Sequence, residues 1–130
     1  MESIIKKICE LPINFLKENK SAYQLALESG FIQLKKENSL KQIKKFLESN
    51  TSLINKWETW STDKRTNKGY YLDLDKNNVV GYVDYTKKGF IKKVIYKSKF
   101  DACSEFIILE ISSILDIKIN AEDIKDFQWG

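Results

Sequence analysis

The stretch that decides the fold is "GYYLDLDKNNVVGYVDYTKKGFIKKVIY", residues 69–96. Within it, "GYYLDL", "VVGYVDY" and "FIKKVIY" are rich in β-branched and aromatic side chains, and the short polar segments "DKNN" and "TKKG" separate them. Runs of this kind read as strands, and connections this short suit hairpins. The spacing predicts an antiparallel meander of three strands, with room for a fourth. The alternation is imperfect: Leu72 and Leu74 share one face, whereas Ile91 and Ile95 oppose Val94 and Tyr96. Both faces are partly apolar, so cover is expected on both sides of the sheet.

Ahead of the meander the period is helical. Ile4, Ile8, Leu11 and Phe15 form a stripe from residue 2 to about 19, which Pro12 should kink or restart because proline has no N–H to donate. Ser21 with Gln24 forms a capping-box pattern, and Gly30 supplies a left-handed stop. Ser39 with Gln42 repeats the device before Leu40, Ile43, Phe46 and Leu47. Thr51 caps a further helix striped by Leu53, Trp57 and Trp60. Beyond the meander, Ser98 opens the most apolar helix, "KFDACSEFIILEISSIL", and Asn120 precedes a short final one, "AEDIKDF". Helices, then meander, then helix is an α+β plan, with the long helix packed on the sheet. Residues 1–130 are expected to form one domain.

The composition narrows the chemistry. The net charge of +4 is modest, but lysines cluster at Lys35, Lys36, Lys41, Lys44 and Lys45, and at Lys87, Lys88, Lys92, Lys93, Lys97 and Lys99. Solvated faces are the ordinary role of such runs. Asp116, Glu122, Asp123 and Asp126 tilt the tail toward the opposite sign. Charges interrupt the apolar residues of the N-terminal stretch, which argues against a secretory signal, and no apolar run reaches the length of a membrane span. Cys9 and Cys103 fall inside apolar periodic segments and read as buried free thiols. Together these features place the chain in a cytosol.

There is no histidine, no glycine-rich phosphate loop and no nucleophile turn. Asp73, Asp75 and Asp84 could in principle serve a carboxylate mechanism, but their places beside turns suit solvated hairpin ends. The expectation is a protein that is not an enzyme and uses no cofactor or metal. "QLALESGF" spaces an alanine and a glycine as helix-turn-helix units do, yet Lys36 and Ser39 are polar where such a unit needs apolar residues. Direct nucleic-acid binding is therefore disfavoured. An accessory protein using the lysine runs on nucleic acid is the alternative reading.

Arg65 is the single arginine beside 21 lysines, and it follows Trp57, Trp60 and Asp63 in "WETWSTDKR". Glu110 falls among the apolar positions Cys103, Phe106, Ile107, Ile111 and Ile114 of the late helix. A buried carboxylate needs a partner, and a guanidinium fork can give it two hydrogen bonds. Arg65 is the expected partner, unless Glu110 lies at the helix rim and reaches water. Of the aromatics flanking this turn, Trp57 and Tyr70 are expected in the core, with Trp60 and Tyr71 the more exposed.

Two segments carry a resemblance. One is Trp57, Trp60, Ser61, Asp63, Lys64, Arg65, Gly69, Tyr70 and Tyr71. The other is the helix motif Ala102, Cys103, Glu105, Phe106, Ile107 and Glu110. In order and spacing they resemble small bacterial immunity proteins of polymorphic-toxin and contact-dependent growth inhibition systems, over residues 57 to 111. The resemblance implies a non-catalytic protein that binds a cognate toxin C-terminal domain, commonly a nuclease, and occludes its active site or substrate channel. The shared motif is expected to hold the scaffold and not the interface. Candidate contacts are instead taken from the outer positions of the meander: Asp73, Asp75, Tyr82, Asp84 and Tyr85, with Lys92 and Lys93. No membrane partner is expected.

Overall fold

A computed structural model describes residues 2–64, 68–87 and 89–129. Helices α1 (Glu2–Cys9), α2 (Leu11–Lys17), α3 (Ala22–Glu28), α4 (Ser39–Ser49) and α5 (Ser52–Asp63) precede the strands β1 (Lys68–Asp73), β2 (Asn78–Asp84) and β3 (Gly89–Tyr96). Helix α6 (Lys99–Ile114) and a 3-10 turn at Ala121–Asp123 follow. The strands form an antiparallel sheet in the order β1-β2-β3, so the α+β meander read from the sequence is the observed one, with three strands.

Helix α6 is the centre of the molecule. Every residue from Ala102 to Ser112 is buried, a pattern expected only of a helix covered all round. One side meets the inner face of the sheet and the other meets α3, α4 and α5. Ser98 caps its start by accepting a hydrogen bond from the Asp101 N–H at 3.1 Å. Its end is a Schellman closure, with Ile117 N–H to Ser112 O and Asp116 N–H to Ser113 O, and Asp116 takes a left-handed φ of 55°.

Proline breaks the first helical stripe as expected. The Ile13 N–H turns to Glu10 O, which leaves the Cys9 carbonyl outside the helical ladder. The fully buried Trp57 donates its indole N–H to that carbonyl at 2.8 Å. A distant tryptophan thus satisfies the backbone group that the proline break releases.

Several local expectations are corrected. Phe15 does not join the core: it is 42% exposed, and Ile5 and Cys9 fill the buried stripe instead. Ser21 caps α3, but the Gln24 side chain reaches Glu28 and does not complete a box. Ser39 is the first residue of α4, with Asn38 at its cap position, and its hydroxyl donates back to Lys36 O. Thr51 holds the cap position of α5 without a side-chain cap bond. The segment after Asn120 makes only one 3-10 turn, and farther on the Gln128 and Trp129 N–H groups bond to Glu105 of α6.

The expected cover on both sheet faces is also corrected. Tyr70, Leu72, Val80, Val94 and Tyr96 face α6 and the core. Among the described residues, no helix packs on the opposite face, where Ile91 and Ile95 are 52% and 57% exposed. Tyr71 lies across Gly81, its partner on β2, and fills the space that a side chain at position 81 would need. That contact and Val79 shield the middle of this face without an added layer.

Candidate functional site

Two buried carboxylates on α6 organise the interior. Glu110 is 4% exposed, so the alternative of a rim position in water does not hold. One oxygen accepts from Lys64 Nζ at 2.8 Å and the other from Trp60 Nε1 at 2.8 Å. The two-point support expected from one arginine is thus supplied by an ammonium and an indole. Arg65 itself lies outside the described residues. Asp63 is exposed at the end of α5 and takes no part in this group.

Glu105 is the second carboxylate, 1% exposed. It accepts from Tyr96 Oη at 2.7 Å, from the Gln128 N–H at 2.9 Å and from the Trp129 N–H at 3.1 Å. Burial pushes its carboxyl above the usual carboxylate range, and the three donors act against that shift. The clamp draws the chain end over the inner sheet face. There Trp129 packs edge-on to Tyr70, and Lys92 sits over its ring and donates to its carbonyl. Nothing in the spacing of Glu105 marked this role, since its partners are 9, 23 and 24 residues away, beyond the reach of a helical repeat.

Helix α5 also closes one edge of the sheet. Glu58, Ser61 and Lys64 project from the same side of the helix at three-residue spacing. Glu58 accepts the Leu74 N–H at 3.2 Å, Ser61 Oγ accepts the Leu72 N–H at 2.8 Å, and Lys64 donates to Tyr70 O at 2.5 Å. Alternate backbone groups of β1 and its extension are therefore satisfied by side chains where a fourth strand could have paired.

The seven expected contact residues do not share a surface. Asp73, Asp75 and Lys93 are exposed and line an outer-face groove with Tyr71, Val79 and Ile91, about 710 Å³ in volume. Tyr85 is 63% exposed in the β2–β3 turn. Tyr82 is half-buried on the inner face, stacked edge-on against Tyr70, and Lys92 pairs with it across the strands. Asp84 is buried and is corrected as an exposed contact. Its Oδ1 accepts both the hydroxyl and the N–H of Thr86, which hold the carboxyl below its ordinary range while building the turn. The expectation of exposure failed there because an Asx-type turn draws its side chain back onto the backbone.

Several lysines in the two runs have local work. Lys36 donates to Phe31 O and Leu34 O and lies over the Phe31 ring, and burial lowers its pKa. Lys44 pairs with Asp101 at 2.7 Å. Cys9 and Cys103 are buried free thiols, as expected, and burial raises the Cys9 pKa to about 12. Among the described residues, no group of three or more His, Cys, Asp or Glu is placed to hold a metal ion.

A second concavity was not legible in the sequence. It lies between α2, α3 and α5, is lined by Pro12, Phe15, Leu16 and Trp60 among others, and encloses about 380 Å³. Its apolar rim arises because the Pro12 restart turns Phe15 and Leu16 outward.

No helix among the described residues is long and apolar enough to cross a membrane. No protein-family model matches the chain, and no curated protein or solved structure is significantly similar to it.

Proposed function

We propose that this chain is an immunity protein that binds a cognate toxin domain, foremost a nuclease, and neutralises it by occluding its active site or substrate channel. The observation that supports this reading most is the outer sheet face. It is backed by α6 across the sheet, yet presents Ile91 and Ile95 at more than half exposure. Ile91 lines the groove that Asp73, Asp75, Lys76 and Lys93 surround, and Ile95 lies beyond it on the same face. Apolar anchors inside a rim of both charge signs are the composition of a specific protein interface. Glu105 and Glu110, the carboxylates of the helix motif, are both occupied in holding the scaffold. This is consistent with an interface that lies elsewhere.

Within this reading, Asp73, Asp75, Tyr85 and Lys93 are the contacts retained from the sequence. The acidic pair supplies a local docking point for a basic nuclease on a chain that is basic overall. The cytosol of the producing cell is where such a protein would act.

The test is affinity capture of the tagged chain from its own cells at moderate salt, followed by expression of the captured domain in a naive host. The domain should arrest growth alone and be tolerated when this chain is co-expressed. Asp73→Lys with Asp75→Lys should weaken capture at least tenfold while leaving the fold intact. Nucleic acid as the only captured species, released by added salt, would refute the reading and favour the nucleic-acid accessory alternative.

A further inference from the structure

The two edges of the sheet are treated differently. On β1, the groups facing away from β2 belong to residues 70, 72 and 74, and α5 satisfies them with Lys64, Ser61 and Glu58. Strand alternation carries this assignment across the sheet. Residues 69, 71 and 73 turn toward β2, where they pair with Val83, Gly81 and Val79. The intervening β2 residues Asn78, Val80 and Tyr82 then turn toward β3, where they pair with Tyr96, Val94 and Lys92. On β3 this leaves the N–H and C=O groups of Lys93 and Ile95 pointing outward. Nothing among the described residues pairs with that edge.

The side chains on the open edge specify what can join it. Ile95 is 57% exposed, and Ile91 is 52% exposed at the register shift that ends the regular run. Lys93 projects between them on the same face. Lys87, Lys97 and Lys99 lie near it in the sequence, and no acidic residue occurs from position 85 to position 100. A second copy of the same edge would bring lysine rows together, a like-charge opposition that antiparallel pairing disfavours. A strand with a carboxylate at one position and apolar residues two positions to either side carries all three on one face, where it would meet Lys93 with charge and the two isoleucines with apolar contact.

We infer that the open edge of β3 is a docking site for an extended, acidic–apolar segment of a partner protein, which adds a fourth strand beside Lys93 and Ile95. The backbone supplies the pairing, while the exposed isoleucines and the lysines select the segment. For the identity of the natural partner, the inference rests on the toxin-binding reading above; for the edge itself it does not.

The test uses the full chain and a nine-residue peptide, Val-Thr-Glu-Thr-Val-Thr-Glu-Thr-Val, which carries Val and Glu in turn on one face, at physiological salt. Two further peptides carry N-methyl groups on alternate residues along one edge or the other. Binding is read by fluorescence anisotropy, and amide hydrogen exchange locates it. The unmethylated peptide should bind and slow exchange at Lys93 and Ile95 at least tenfold. One methylated peptide should lose binding at least tenfold and the other should retain it, because only one peptide edge faces β3. Equal binding by all three would mean charge attraction alone and would overturn the inference, as would no binding at millimolar peptide. A dimer of the chain alone, with Lys93 and Ile95 already protected, would assign the edge to a second copy and also overturn it. A captured toxin that binds equally well to a Lys93→Glu variant would overturn the edge while leaving neutralisation standing.

Discussion

Replacing Lys64 by methionine isolates the energetics of the interior. Methionine keeps most of the aliphatic stem but removes the ammonium that faces Glu110 at 2.8 Å and Tyr70 O at 2.5 Å. The Lys64 and Glu110 side chains are 18% and 5% exposed, so water can replace the ammonium only in part. Removing one partner of a buried pair typically costs 3–5 kcal/mol, and the residual exposure of Lys64 argues for about 3. Unfolding entropy near 2.1 cal/mol/K per residue gives roughly 270 cal/mol/K for this chain, so about 3 kcal/mol lowers Tm by about 11 °C. Urea titration at neutral pH provides the free energy, and calorimetry the Tm. Combining Lys64→Met with Glu110→Leu should restore most of the loss, leaving about 1 kcal/mol for the unanswered indole N–H of Trp60. A single-variant loss below about 0.5 kcal/mol, the size of a surface effect, would mean that Glu110 is compensated without Lys64. The account of this pair would then fail.

Three other perturbations test separate parts of the structure. Glu105→Gln should free the Gln128 or Trp129 N–H from its acceptor, cost about 1–3 kcal/mol and speed hydrogen exchange at both residues. Because burial raises the folded pKa of Glu105, its contribution is largest when protonated and is lost as pH rises through that folded value. The stability of wild type relative to Glu105→Gln should therefore increase as the pH is lowered from neutrality toward the ordinary glutamate range. An unchanged difference in paired urea titrations would contradict the shift. Cys9 and Cys103 should react with a thiol reagent at pH 8 only at the rate of opening, since both are buried and held protonated. Labelling as fast as in urea would refute their placement. Ser61→Ala should cost about 1 kcal/mol and increase exchange specifically at the Leu72 amide, with no change at Val80 as the control.

The elements were legible where short-range chemistry fixes them. The turn residues between three β-rich runs, Ser98 at the start of α6, and Gly30 with its φ of 87° after α3 all act within a few residues. The depth of Glu110 was also legible, because helical spacing placed it among apolar neighbours. Its partners were not, since Lys64 and Trp60 reach it from 46 and 50 positions away, and a lysine alone gives a carboxylate one point of support where a guanidinium gives two. The indole supplies the missing second bond. For the outer surface, alternation separated Ile95 from Tyr96 correctly but could not say that a layer would be absent. Asp84 shows the reverse limit: a short acidic residue at a turn was read as solvated, whereas the turn itself consumes it.

Helix α5 ties α1, α6 and β1 together through side-chain hydrogen bonds. Trp57 reaches α1, Trp60 reaches α6, and Glu58 and Ser61 reach the backbone of β1 and its extension. These ties span 48, 50, 16 and 11 positions of sequence, so the chain must close large loops before this helix gains most of its stabilisation. The kinetic consequence is a late, shared folding step. The N-terminal helices and the sheet should cross the barrier together and not in succession, and a single-exponential refolding phase should report on both halves. A 12-residue helix of modest apolar character thus makes the halves cooperative, and neither should persist as an independent folding unit.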